Sequence, residues 1–263
     1  MNTSVVRVGA IDIGSNSTNL LIADVDPSTR NLVTIERVLR RTVASSACRD
    51  AANSADFFGR VLESTRLTVD LLSGADEGRL SYSGALSGLR SDPMGDLVID
   101  IGGGSTEFIL GREGTVETSL SIDVGAVRLT DRHLHTDPPR PEDLTNAIGD
   151  ATDLIDDLVR ATPELAGRRQ VIGVAGTIDT IAAVEIGDSD ATTRHGFVLT
   201  RAAVEDVFRT LATEPLRDRV HNPGLPADRA DIIVGGCCVL VAAFRRLQLD
   251  SITVSTHDIL DGV

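Results

Sequence analysis

An α/β protein built from two related halves is what this sequence predicts, and three observations predict it. Residues 10–22 (AIDIGSNSTNLLI) and 98–110 (VIDIGGGSTEFIL) are two copies of one pattern, aligned at Asp12 and Asp100, 88 positions apart (residue 12 to residue 100). Around and between them, short apolar runs rich in Val and Ile alternate with longer segments of helical spacing. The composition is that of a packed globule: 263 residues, 41% hydrophobic, with 24 Gly and 9 Pro. That length suits one large domain or two ordinary ones.

Each copy of the repeat reads as an apolar strand, a tip of small residues and a second apolar strand, which is a hairpin. In the first half LVTIERVL (32–39) is a third strand. SADFFGRVLESTR (54–66) is a helix capped by Asn53 or Ser54, LTVDLLSG (67–74) a strand, and ADEGRLSYSGALSGL (75–89) a helix. The polar stretch RSDPMG (90–95) marks a boundary, giving domains of 1–95 and 96–263. The second half continues with strands near 97–101, 106–111 and 115–121, a helix over 140–160, a strand VIGVAG (171–176) and a helix TIDTIAAVE (177–185). Helices near 200–212 and 227–246 and a last strand SITVS (251–255) complete it. DRHLHTDPPRP (131–141) reads as a loop, and its His133/His135 pair lacks a zinc spacing.

Charge and cysteine usage narrow the function classes. The formal charge of −14 argues against a nucleic-acid partner held by a basic surface. No apolar run reaches the roughly 18 residues of a membrane span, so no membrane partner is expected. The first residues lack a signal-peptide pattern, and a cytoplasmic protein is the expectation. Cys48 alone and the adjacent Cys237 and Cys238 imply no disulfide framework and read as small buried hydrophobes. All 25 basic residues are arginine, whose planar fork suits phosphate oxygens.

The repeated tips carry the chemistry. Three consecutive glycines, Gly102 to Gly104, can take backbone angles closed to other residues and let an anion approach the main chain. Successive N–H groups there form an anion-binding nest, with the hydroxyls of Ser105 and Thr106 beside it. Asp100 ends its strand next to the nest, a place to hold Mg²⁺ through water, and the first copy offers Asp12, Ser15, Asn16 and Ser17. Taken singly, each tip reads first as an ordinary Gly-rich hairpin; the pairing of the two favours a phosphate-and-metal clamp. VIGVAGTIDTIAA adds a strand running through Gly176 and Thr177 into a helix N-terminus, a further place for anions.

These residues resemble the exopolyphosphatase and guanosine-pentaphosphate phosphatase family. GAIDIGSNS, SSACRDAAN, LLSGADEGRLSY, LVIDIGGGSTE, GVAGTIDTIAA, RADIIVGG and TVSTHDILDG follow one another in family order over nearly the whole chain. The resemblance implies two duplicated actin-like ATPase (ribonuclease H-like) domains with a cleft between them. It implies an Mg²⁺-dependent hydrolase releasing terminal orthophosphate from inorganic polyphosphate, guanosine pentaphosphate or both. By position, it makes Glu77 the general base and Arg49 a phosphate contact. It places Asp12, Asp100 and Glu107 at the metal, and Gly103, Gly104, Ser105 and Thr106 with Ser15 and Asn16 around phosphate. From spacing alone, Glu77 is also a plain surface acid in the first turn of a helix, favoured there by the macrodipole. A homodimer is compatible with the superfamily, although no residue here fixes the oligomeric state.

One departure stands out. Between VTIERVLR and RTVASSACRD the chain is short by roughly 40–50 residues against the family pattern, about one strand–helix unit. Arg49 follows that shortfall directly. A non-catalytic polyphosphate or alarmone sensor on the same scaffold is therefore a second reading, and a sugar or acetate kinase of the same superfamily a third.

Overall fold

The computed structural model describes residues 6–13, 18–25, 32–40, 56, 59, 60, 63, 73–167, 169–188 and 190–262, with the backbone alone for the three segments before residue 41. Two compact units divide the chain, residues 1–77 with residue 263 and residues 78–262.

In the first unit β1 (Val6–Ile13), β2 (Thr18–Val25) and β3 (Leu32–Arg40) form an antiparallel sheet in the order β1-β2-β3. Residues 56, 59, 60 and 63 are helical, as the 54–66 pattern predicts, and residues 67–72 of the expected fourth strand lie outside the described residues. α1 (Gly74–Ala85) starts in this unit and continues into the second.

The second unit holds a six-stranded sheet of order β6-β5-β4-β7-β9-β8. Its strands are β4 (Asp96–Ile101), β5 (Thr106–Arg112), β6 (Thr115–Ile122), β7 (Gln170–Val174), β8 (Val198–Thr200) and β9 (Ser251–Val254). β4, β5 and β6 are antiparallel neighbours, whereas β4, β7 and β9 run parallel. Three meandering strands followed by parallel ones reached through helices make the ribonuclease H-like sheet of an actin-like domain. The helices are α2 (Ala126–His133), α3 (Pro141–Ala161), α4 (Ala175–Ile186), α5 (Ala191–Arg194), α6 (Arg201–Thr213), α7 (Leu216–Arg219) and α8 (Ile233–Arg246).

The period-2 alternation of side chains sorts the core onto two faces. Leu97, Ile99, Ile101, Phe108 and Leu110 pack with α3, α4, α6 and α8 on one face. Val98, Ile109, Ile172 and Val174 meet Tyr82 and Ala85 of α1 on the other. β4 is buried on both faces, which is why DLVIDI reads as a near-continuous apolar run. α8 is apolar all round and every residue from Ile233 to Phe244 is buried, the pattern of a helix at the centre of a core. Cys237 and Cys238 lie inside it, and burial pushes both thiols up, that of Cys238 to about 12.

The polar stretch 90–95 is a turn of the second unit. Asp96, fully buried, accepts from Ser91 Oγ at 2.5 Å, Asp92 N at 3.1 Å and Tyr82 Oη at 3.2 Å, which ties α1 to the turn and to β4. Burial and then the Asp96 carboxylate push the Tyr82 hydroxyl well above its ordinary range. The stretch 131–133, expected as loop, closes α2, and His133 Nε2 faces Asp150 Oδ2 of α3 at 3.0 Å. α8 begins at Ile233, six residues later than the pattern suggests, after a 3₁₀ turn at Ala227–Arg229.

Candidate active site

The two hairpins are equivalent in register. Asp12 pairs with Asn19 across β1 and β2, and Asp100 pairs with Glu107 across β4 and β5. In both copies Ile and Thr close the hairpin, as Ile13–Thr18 and Ile101–Thr106. Even the irregularity repeats: the β2–β3 register shifts between Ile22 and Ala23, and the β5–β6 register between Leu110 and Gly111. Ile22 and Leu110 are the same 88 positions apart (residue 22 to residue 110), so the duplication is one of backbone as well as sequence. Ser15, Asn16, Ser17 and Arg49 lie outside the described residues, and for Asp12 the backbone alone is described.

The second tip is held by α2. Three carbonyls in succession are drawn onto that helix. Ala126 N donates to Gly102 O at 3.0 Å, and Val127 N and Arg128 N donate to Gly103 O at 2.9 and 3.1 Å. Arg128 Nε donates to Gly104 O at 2.8 Å. These are N–H groups of the first turn of a helix, which have no intrahelical acceptor. In a trans peptide the C=O and N–H point in opposite directions. Turning the carbonyls of 102, 103 and 104 toward α2 therefore turns the N–H groups of Gly103, Gly104 and Ser105 away from it together. Among the described residues those N–H groups meet no acceptor. The result is a nest of parallel donors, which is what an anion requires.

Gly125, just before α2, permits the docking. A Cβ there would lie 2.7 Å from Gly102 O, Gly103 C and Gly103 O. Thr106 was expected to offer its hydroxyl to the anion; instead it is fully buried and donates to Val124 O at 2.6 Å, fastening the hairpin to the segment that leads into α2. A short side chain whose hydroxyl finds a carbonyl inside the fold satisfies that buried acceptor, and the bond offsets the desolvation of both groups.

A transverse row at this end of the sheet reads Ser121, Glu107, Asp100, Val174 from β6 to β7. Asp100 and Glu107 are direct cross-strand partners and so point to one face, the face that Tyr82 and Ala85 of α1 cover. Both are partly exposed, and Ser121 Oγ donates to Glu107 Oε1 at 2.9 Å. Among the described residues no group of three His, Cys, Asp or Glu side chains could hold a metal. Two neighbouring carboxylates still fit Mg²⁺, a hard cation that keeps several waters and takes one or two carboxylates plus substrate phosphates.

β7 ends beside Asp100, and α4 begins at once. Ala175 makes the joint with φ +68°, a left-handed angle that a non-glycine residue adopts only under tertiary constraint. The strand expected to run to Gly176 therefore stops at Val174. Gly176 is in the first turn, and the Arg229 guanidinium lies where its Cβ would be. The Thr177 side chain is buried against Gly236, so toward solvent this residue has only its first-turn N–H to offer. Asp179 fixes the next turn through both oxygens to buried Arg194, at 2.5 and 3.0 Å. Arg128 and Arg229 are the two site cations that sequence reasoning missed. Arg229 opens the RADIIVGG motif, the one signal that could have singled it out.

Glu77 lies in the first unit, in the first turn of α1. Ser73 caps that helix: Asp76 N donates to Ser73 Oγ at 3.1 Å, and Ser73 Oγ in turn donates to Asp76 Oδ2 at 2.7 Å, which holds the cap hydroxyl in place. The cap fixes the turn from which Glu77 projects.

A nest of donors, a helix N-terminus and adjacent carboxylates, gathered at the carboxyl ends of parallel strands, make this a phosphate-handling protein of actin-like fold. More narrowly, the chain belongs to the Ppx/GppA phosphatase family, whose pattern it matches over residues 33–263. It is 33% identical to exopolyphosphatase 2 of Mycobacterium tuberculosis over 319 aligned positions, 99% of this chain and 98% of the relative. That alignment is longer than the 263 residues of this chain, so the relative carries stretches with no counterpart here. An exopolyphosphatase-like protein of known structure superposes with a TM-score of 0.87 at 27% identity, covering 98% of this chain and 97% of that one. A Ppx/GppA family member from Aquifex aeolicus shares the fold at a TM-score of 0.82 and 24% identity, over 98% of this chain and 96% of that one.

Proposed function

We propose that this chain is an Mg²⁺-dependent exopolyphosphatase that releases terminal orthophosphate from inorganic polyphosphate, with guanosine pentaphosphate as a second substrate of the same site. The observation that carries this reading is the set of N–H groups of Gly103, Gly104 and Ser105, turned one way by α2 beside the Asp100–Glu107 pair. The M. tuberculosis relative named as an exopolyphosphatase supports the substrate class.

Phosphoanhydride cleavage needs an in-line water, neutralised phosphoryl oxygens and a stabilised leaving phosphate. Glu77 orients the water and takes its proton. The N–H groups of the nest and the first turn of α4 hold the phosphoryl oxygens, which fixed dipoles do without reorganisation during the reaction. Ser15, Asn16, Ser17 and Arg49 are the phosphate contacts that the sequence leads one to expect, and Arg229 adds positive potential beside Gly176. Asp100 and Glu107, with Asp12 added by the family resemblance, would hold Mg²⁺, which would supply the charge neutralisation that a chain of net charge −14 otherwise lacks around a polyanion.

The test is phosphate release from polyphosphate and from guanosine pentaphosphate, with Mg²⁺ and with chelator, for the wild type and Glu77→Ala. The expected result is Mg²⁺-dependent release that the variant loses by about 10²–10⁴-fold, the range for a general base. Polyphosphate binding without release by the wild type would reject hydrolysis and make the chain a sensor.

A further inference from the structure

We propose that Arg128 is a positioning residue of the phosphate turn, holding the Gly104–Ser105 peptide in the orientation that presents the Ser105 N–H to the bound phosphoryl group. The inference rests on the reading of that turn as a phosphate site. Two of the three carbonyls that set the nest are held by main chain: Gly102 O by Ala126 N, and Gly103 O by Val127 N and Arg128 N. Any sequence that forms α2 supplies those donors. The third carbonyl, Gly104 O, has a side chain as its donor, Arg128 Nε at 2.8 Å. Gly104 follows another glycine, and glycine crosses between backbone regions closed to other residues. Without the guanidinium the Gly104–Ser105 peptide can rotate, and the Ser105 N–H leaves the set.

Arg128 is itself aimed from two sides. Its backbone N–H is bound to Gly103 O, and its Nη2 lies 3.6 Å from Asp123 Oδ1. The Asp123 pair is exposed and contributes little energy, so its effect is orientation. Arginine suits the task because Nε and the Nη groups are fixed in one plane, so one edge can serve the carboxylate while Nε serves the carbonyl.

The test uses the full chain with Arg128→Met, which keeps length but removes the donors, and Arg128→Lys, which restores a charge and a donor. Arg128→Met is expected to lower kcat about 10- to 100-fold with a smaller rise in KM for polyphosphate, since the donor it positions faces more charge in the transition state than in the bound substrate. Arg128→Lys is expected to recover part of the loss. Wild-type kcat in Arg128→Met, or a loss confined to KM that disappears with added salt, overturns the proposal.

Amide NMR with inorganic phosphate gives a readout independent of turnover. In the wild type the Gly103, Gly104 and Ser105 amide signals are expected to shift on titration; in Arg128→Met the Ser105 signal alone stops responding. Phosphate-induced shifts without any hydrolysis would refute the enzyme reading while leaving the role of Arg128 to be decided by Ser105. Equal responses of all three amides in Arg128→Met, or no response in the wild type, overturn the proposal.

Discussion

Adding one methyl group at Gly125 tests the docking of the phosphate turn on α2. The backbone at Gly125 is extended, with φ −161° and ψ 179°, so alanine meets no conformational penalty there. The obstacle is contact. The new Cβ would sit 2.7 Å from three backbone atoms of residues 102 and 103, about 0.7 Å inside ordinary van der Waals distance. Backbone atoms cannot swing aside as a side-chain end does, so turn and helix must part. Overpacking of this kind costs about 1–3 kcal/mol, which lowers Tm by roughly 2–12 °C for a unit of this size. Misplacement of a reacting group by 1 Å can cost roughly 10²-fold in rate, so a shift approaching that is expected to lower kcat by about tenfold or more. Thermal unfolding and phosphate release of Gly125→Ala, beside Gly149→Ala as control, check both numbers. Gly149 is in α3 with no atom within 4 Å of its Cβ, and alanine there should stabilise by about 0.5–1 kcal/mol. Wild-type Tm and rate in Gly125→Ala would refute the claim that the turn is seated on α2.

Three further outcomes are expected. Thr106→Val removes the hydroxyl that satisfies Val124 O in a fully buried position and should lower unfolding free energy by about 1–3 kcal/mol in urea titration. Ala175→Gly relieves a left-handed backbone angle and should raise stability by about 1 kcal/mol, measured by Tm. His195 packs its ring against His257 at 4.5 Å between centroids, and burial, then the charge of His257, holds its pKa below the ordinary 6.5. The folded state thus binds fewer protons than the unfolded one in that window, so stability present above about pH 6.5 is lost as pH falls toward the folded pKa. The slope reaches at most about 1.4 kcal/mol per pH unit, and His195→Gln should flatten it; an unchanged slope between pH 7 and 5 would clear His195.

What could be read from the sequence follows from the range of the interaction concerned. Both hairpins were legible because period-2 patterning and small residues at the tips are local signals, and the repeat at Asp12 and Asp100 fixed their equivalence. α3 and α4 were legible for the same reason, through apolar spacing over many residues. α2 was not, because in AVRLTDRH only Ala126 and Leu129 are buried, too few to show a helical period. β7 ends two residues before the pattern VIGVAG does, because nothing in those residues reveals the turn of Ala175 into the left-handed region. Arg128 reaches Gly104 from 24 residues away, and Arg229 reaches Gly176 from still farther along the chain. Such meetings are products of the fold. The inward turn of Thr106 belongs with them, since its acceptor, Val124 O, is set by the path of the chain after β6.

Register, hairpin length and the β-bulge are common to both copies, yet the position opposite the aspartate is asparagine in one and glutamate in the other. Since successive side chains alternate faces, one inserted residue in either strand would carry its aspartate to the opposite side of the sheet. A single exchange opposite the aspartate leaves the frame untouched. The two hairpins thus differ in the charge they carry and agree in the length that keeps each aspartate on its face.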